Sequence, residues 1–376
     1  MKGSLYLGRY VGIRLMVHWS FVLILVWVGW MGWQEGGWAS CLWAQALILL
    51  LFLCVVLHEF GHSVVAMRFG VTVRSIVLLP IGGVASMSDI PRRPVQELLI
   101  ALAGPFVNVV IVLFIGLLTG RWMPAETADI FPTNWPNLVD KLLLINIVLV
   151  LFNMLPAFPM DGGRVLRSLL AMFLSYGRAT RIAASVGQGM AVLFFLLALY
   201  VQNPFLLIIA VFVFLGASSE NHMVRVQDRM KGIRAQDMMH GVGMVLSPSD
   251  PLERCQTAFE ERQQKDFLVM HEEKLVGLVE DKLWQKAVQD LGASSPVSCI
   301  LRKQFICLGS DSDMAGAWPD VLRMDQTLFP VMEQDRVLGI VSLEDVRRSL
   351  ALTRMQERAL RPHGVAPRSI RTIDLG

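Results

Sequence analysis

The sequence predicts a polytopic α-helical membrane protein, with about six transmembrane helices and a membrane-associated β-hairpin, joined to a cytosolic α/β domain. Three observations lead there. Of the 376 residues, 54% are hydrophobic, above the roughly 45–50% of ordinary soluble domains. The excess is uneven: residues 1–220 hold nearly all the long apolar runs, and 225–376 read as soluble sequence. In that second half a pattern recurs, two short apolar strands around a charged turn and then a helix, as in a repeated unit.

A membrane span needs about 20 apolar residues. Six segments qualify, near 15–33, 43–69, 95–119, 139–157, 179–201 and 204–220. The N-terminal run is too long for a signal h-region and lacks a small-residue cleavage site, so it is kept as a first helix. Tryptophans between 27 and 43 suit an outer aromatic belt. Lys and Arg give the direction. Arg9, Arg14, Arg68, Arg74, Arg92, Arg93, Arg164, Arg167, Arg178 and Arg181 fall in every second loop, and the alternate loops hold only Arg121 and Lys141. The positive-inside bias then puts both termini in the cytosol of a multi-pass cell-membrane protein.

A net charge of +3 without basic, aromatic-interleaved blocks predicts no nucleic-acid partner; the lipid bilayer is the expected environment. Five cysteines without CxxC spacing predict neither a disulfide framework nor a thiolate metal site.

"VVLHEFGHSVVAM" (55–67) places His58, Glu59 and His62 inside an apolar span. Ionisable groups there are costly and usually functional. On a helix the i, i+4 spacing puts both imidazoles on one face, about 6 Å apart along the axis. Two such histidines can share one Zn²⁺, with Glu59 as general base. A catalytic zinc needs a third ligand, and Asp161 is the best candidate. It follows "NMLPAFPM", where Pro156 and Pro159 break a helix, and precedes Gly162 and Gly163, which allow a tight turn. Broken backbone at membrane depth is tolerated where protein or a water-filled cavity covers it.

"VRSIVLLPIGGVASM" (73–87) is too short to span and reads as a hairpin dipping into the membrane. Its edge, at Ile81, Gly82 and Gly83, is a candidate for holding an extended substrate by β-augmentation. Asn108 reads as an interhelical hydrogen-bonder one turn from Gly104, and Glu97 as a brace for the third helix.

"HEFGHSVVAMRFG", "LPIGGVASM", "ALAGPFVNVVI" and "FNMLPAFPMDGGRVLRSLLA" together resemble the site-2 protease family of intramembrane zinc metalloproteases, peptidase family M50. The resemblance covers residues 1–220, with the motifs in the family's order. It implies an endopeptidase that cuts transmembrane segments of other membrane proteins, with His58, His62 and Asp161 as ligands of one Zn²⁺ and Glu59 as base. It further implies Asn153 as a polar group near the scissile carbonyl. The repeats of the second half resemble CBS modules, as in the branch containing sporulation-factor processing proteases. The chain then divides into a metalloprotease domain at 1–225, a CBS pair at 234–350 and a disordered tail at 351–376.

In similar CBS modules a G-x-x-[ST]-x-x-D stretch holds a nucleotide. "GIVSLED" supplies Gly339, Ser342 and Asp345, whereas "GLVEDKL" has Glu280 and Leu283 at the corresponding positions. The resemblance implies ATP, ADP or AMP at the second repeat only, and a homodimer through the CBS modules. The competing expectation is a metal-ion transporter with a CBS regulatory domain, which would usually show an inverted repeat; none is seen in the sequence.

Overall fold

The structure is a computed structural model that describes residues 3–80, 82–87, 93–124, 131–323 and 326–346. The expected tail at 351–376 and Ile81 lie outside the described residues. The chain divides into two compact units, 1–224 and 225–376.

The first unit opens with strands, not with a helix. β1 (Ser4–Tyr10) and β2 (Ile13–His18) form an antiparallel hairpin. The apolar run read as a span from residue 15 is therefore extended up to His18, and helix α1 (Phe21–Arg68) begins at Phe21. The reason is nonlocal: β2 pairs in parallel with β3 (Val73–Leu79), which lies beyond the whole of α1. β4 (Gly82–Met87) completes a four-stranded sheet in the order β1-β2-β3-β4. The expected hairpin at 73–87 is thus half of a larger sheet, with β4 at its edge.

Straight, the 48 residues of α1 would reach about 72 Å, against a hydrocarbon core of about 30 Å. The helix instead breaks at Gly36 and Gly37, where Gly37 takes φ 65°. Its two arms fold back on each other. A Cβ on Gly32 would lie 2.9 Å from the Cβ of Ala44, and Gln45 donates to the Leu25 carbonyl at 2.6 Å. The arms account for the first two expected spans. The rest follow as α2 (Pro94–Thr119), α3 (Trp135–Asn153), α5 (Tyr176–Val201) and α6 (Pro204–Met230), with the short amphipathic α4 (Asp161–Ala171) between α3 and α5. All five long helices are apolar enough to cross a membrane. The fourth span ends at Asn153 rather than 157, because the proline-containing stretch 154–160 is irregular.

The second unit contains the repeat, its second half described as far as residue 346. Its first half is α7 (Ala235–Met238), β5 (Val245–Leu246), α8 (Glu253–Arg262), β6 (Phe267–His271), β7 (Lys274–Val279) and α9 (Asp281–Leu291). Its second half is β8 (Leu308–Gly309), α10 (Met314–Arg323), β9 (Leu328–Glu333) and β10 (Arg336–Ser342). Each half makes a three-stranded sheet, with a short strand parallel to the first strand of a hairpin. The charged turns hold Glu272, Glu273 and Gln334 at positive φ. One feature of the repeat escaped the pattern reading. Gln264 clamps the backbone N–H and carbonyl of Met244, and Gln326 does the same for Ile306. Leu268, Leu278, Leu328 and Ile340 pack together between the halves. All five cysteines are free; burial pushes the Cys255 thiol up to about 12, which keeps it inert.

Candidate metal centre

The second arm of α1 carries His58 and His62, and α4 begins with Asp161. Their side chains converge although 99 residues separate His62 from Asp161. His58 Nε2 lies 3.1 Å from His62 Nε2. Asp161 Oδ2 is 3.1 Å from His62 Nε2 and 3.3 Å from His58 Nε2. All three residues are buried.

Hydrogen bonds fix which imidazole nitrogens face the centre. Asn146 donates through Nδ2 to the Leu142 carbonyl at 2.8 Å, so its Oδ1 accepts from Asn108 Nδ2 at 2.8 Å. That turns Asn108 Oδ1 towards His58 Nδ1, 2.6 Å away. His62 Nδ1 donates to the Ile100 carbonyl at 2.7 Å. Both Nδ1 atoms are therefore N–H donors, and both Nε2 lone pairs point at each other and at a carboxylate. Three acceptors so close repel unless a cation lies between them. Tetrahedral donors about 2.0–2.1 Å from Zn²⁺ would be about 3.3 Å apart, and the observed separations match. The donor set fits zinc.

Two glycines let α2 come close enough to supply these supports. A Cβ on Gly61 would lie 2.7 Å from the Ala103 carbonyl oxygen, and one on Gly104 would lie 2.7 Å from His58 Nε2. Ile100, Gly104 and Asn108, spaced four apart, then form one stripe of α2 over the two histidines. Asn108, expected as an interhelical hydrogen-bonder, has His58 and Asn146 as its partners. Asn146 itself went unnoticed, since a lone Asn in an apolar run gives no sign of what it faces.

Gly104→Val is expected to lose at least the roughly 10–100-fold in metal affinity that second-shell changes cost. Gly189→Val is the control, because nothing lies within 4 Å of that position. Metal analysis of the two purified variants reads the difference.

Gly162 and Gly163 do not make a turn, as expected from sequence; they are the second and third residues of α4. A Cβ on Gly163 would lie 2.6 Å from the Phe158 nitrogen, and one on Gly162 would meet the backbone of Met154 and Leu155. They are glycine because the irregular segment 154–160 lies directly on the start of α4. This packing sets the depth of Asp161.

Glu59 is half-buried and makes no hydrogen bond or ion pair among the described residues. The edge strand β4 passes beside it: a Cβ on Gly83 would lie 2.7 Å from Glu59 Cγ. Gly82 opens that strand at φ 135°. Asn153, the last residue of α3, is half-buried and makes no hydrogen bond to the triad.

Glu97 is more than a brace. It is 1% exposed and accepts from Arg167 Nε at 2.7 Å. Arg167 also pairs with Glu220 and stacks 4.9 Å from the Phe158 ring centroid and 5.0 Å from that of Tyr176. This buried cluster ties α4 to α2 and α6.

In the second unit Asp345 Oδ2 accepts from Ser342 N at 2.8 Å and Ser342 Oγ at 2.6 Å, with His240 Nδ1 at 3.1 Å. At the matching position of the first repeat, Glu280 Oε1 accepts from Arg302 at 2.9 Å and Thr327 N at 3.1 Å.

The family model described as peptidase family M50 matches residues 46–122 and 118–197, and the CBS domain model matches 297–352. The zinc metalloprotease MJ0392 of Methanocaldococcus jannaschii is 31% identical over 95% of this chain and 99% of its own length. Stage IV sporulation protein FB of Bacillus subtilis is 29% identical over 36% of this chain and 44% of its own. Among solved structures, a site-2 protease from Methanocaldococcus jannaschii is 37% identical, with a TM-score of 0.43, over 58% of this chain and 95% of that one. With the family model and a full-length relative in agreement, the chain belongs to peptidase family M50, the site-2 proteases, as a multi-pass membrane zinc metalloprotease with a CBS domain.

Proposed function

We propose that His58, His62 and Asp161 hold one Zn²⁺ per chain, and that with Glu59 they cut the transmembrane segments of other membrane proteins. The observation that carries this reading is the triangle of His58 Nε2, His62 Nε2 and Asp161 Oδ2, three buried acceptors 3.1–3.3 Å apart. Zinc held there supplies a Lewis acid that polarises a carbonyl and acidifies water. Glu59 takes the proton of the attacking water and delivers it to the departing amine. Among the described residues nothing hydrogen-bonds to it, which leaves its carboxylate available for both transfers. Asn153 is assigned a hydrogen bond to the developing oxyanion. Support for that role is its position at the end of α3, where the segment leading to Asp161 begins.

A helical substrate hides its carbonyls, so it must be extended before it is cut. Gly82 and Gly83, on the edge of β4 beside Glu59, offer the backbone for a substrate strand. Purified protein incubated with a membrane-inserted peptide should cleave it, and a zinc chelator should stop the reaction. Cleavage indifferent to chelation refutes the proposal.

The Lys/Arg distribution supports both termini in the cytosol. In intact cells, an impermeant thiol reagent should label a cysteine placed at 36 and not one at 240. Labelling at 240 reverses the topology.

The second unit is assigned one adenine nucleotide, ATP, ADP or AMP, through Ser342 and Asp345. At the first repeat the Glu280 carboxylate is already engaged by Arg302 and Thr327, and it would repel a phosphate. Calorimetric titration of the full chain in detergent should find one site, lost in Asp345→Ala. Two sites, or binding unaffected by that change, contradict it.

A further inference from the structure

We infer that the end of the first sheet, where the β1–β2 turn meets the start of β3, binds the phosphate-bearing headgroup of an anionic lipid. A cavity of about 340 Å³ opens there, lined by Arg9, Gly12, Arg14, Thr72, Val73 and Arg74. Three of the six are arginines, and each comes from a different strand.

Their arrangement is unfavourable in an isolated protein. Arg9 and Arg14 stand directly opposite each other across the antiparallel pair, a placement in which like charges destabilise a sheet. Arg14 aligns with Ser75 on β3, and Arg74, the residue before it, is the third arginine that lines the cavity. Among the described residues no carboxylate pairs with any of the three. The internal bond they make is Arg9 Nε to the Gly12 carbonyl at 3.0 Å, which leaves most of their N–H donors free. A concave site with guanidinium N–H donors to spare matches a phosphate group, whose oxygens accept charge-assisted hydrogen bonds from them.

The surroundings select a lipid over a free anion. The same hairpin exposes Leu5, Leu7, Tyr10 and Val11, apolar and aromatic side chains suited to a bilayer interface. The sheet is also held at helix ends: α1 starts at Phe21 just after β2, and β3 starts at Val73 just after α1 ends at Arg68. Arginines beside a membrane surface attract anionic headgroups, and several in one cavity give selectivity over zwitterionic lipid.

The test uses the full chain, purified in neutral detergent and stripped of lipid. It is titrated with phosphatidylglycerol, with phosphatidylcholine of the same acyl chains, and with inorganic phosphate; native mass spectrometry reads what is retained. Phosphatidylglycerol is expected to bind at least about tenfold more tightly than phosphatidylcholine. The triple variant Arg9→Gln/Arg14→Gln/Arg74→Gln should lose that preference, and Arg178→Gln/Arg181→Gln should keep it. The single variants Arg9→Gln and Arg14→Gln, each expected to weaken it, serve if the triple variant does not fold. Equal binding of the two lipids, a preference that survives all three changes, or inorganic phosphate retained in place of lipid would each overturn the inference.

Discussion

Glu59→Gln is expected to keep its zinc and to lower peptide-bond hydrolysis by about 10²–10⁴-fold, the usual contribution of a general base. Glutamine has nearly the same shape, and among the described residues Glu59 makes no hydrogen bond that the change would break. It cannot accept the proton of an attacking water. His58→Ala and Asp161→Ala are expected to lose the metal together with the activity, because each removes one of three converging donors. Metal content and hydrolysis measured on the same preparations separate the two classes. Normal zinc in both His58→Ala and Asp161→Ala would remove these residues from the ligand set.

Arg167→Met is expected to destabilise the membrane unit by about 3–5 kcal/mol, the cost of breaking a buried ion pair from one side. The guanidinium is 2% exposed and lies between Glu97 and Glu220. Removing it leaves the buried Glu97 carboxylate without its ion-pair partner; Glu97 Oε2 already has no hydrogen-bond partner among the described residues. The Phe158 and Tyr176 rings would keep some apolar contact with methionine. Arg167 lies less than two turns of α4 from Asp161, so the same change should loosen the metal centre. Thermal unfolding in detergent measures the loss. Glu97→Gln added to Arg167→Met should restore part of it, because the fully buried charge is then removed and the carboxylate that remains, Glu220, is partly exposed. An unfolding midpoint unchanged in Arg167→Met would show that the cluster carries no stability.

How much of this was legible in the sequence depends on the range of each interaction. His58, Glu59 and His62 could be read because their geometry is local: an i, i+4 pair on a helix is close by construction. Asp161 could be read because the prolines and glycines around it announce a break at membrane depth. The partners that hold these residues were hidden. Glu97 and Arg167 are 70 residues apart, and Asn108 and Asn146 are 38 apart. A polar residue in an apolar run signals that it has a partner without signalling which.

The start of the first span was misread for a similar reason. "LMV" (15–17) runs towards the apolar helix that follows, and its extended form depends on pairing with β3. In the sequence Gly104 reads only as a small residue near Asn108, and Gly61 carries no signal of its own. That each marks a backbone approaching within contact of a neighbouring helix or imidazole appears only when α1 and α2 are packed together.

Peptide-bond hydrolysis within the membrane is assigned to Glu59 and the triangle beside it. The most direct measurement is to reconstitute the wild-type and Glu59→Gln proteins in liposomes with a single-span substrate, and to map the product ends by mass spectrometry. A cut inside the apolar span is expected with wild-type protein, and intact substrate with Glu59→Gln at equal zinc content. Cleavage confined to the segments outside the bilayer, or equal cleavage by both proteins, would contradict it.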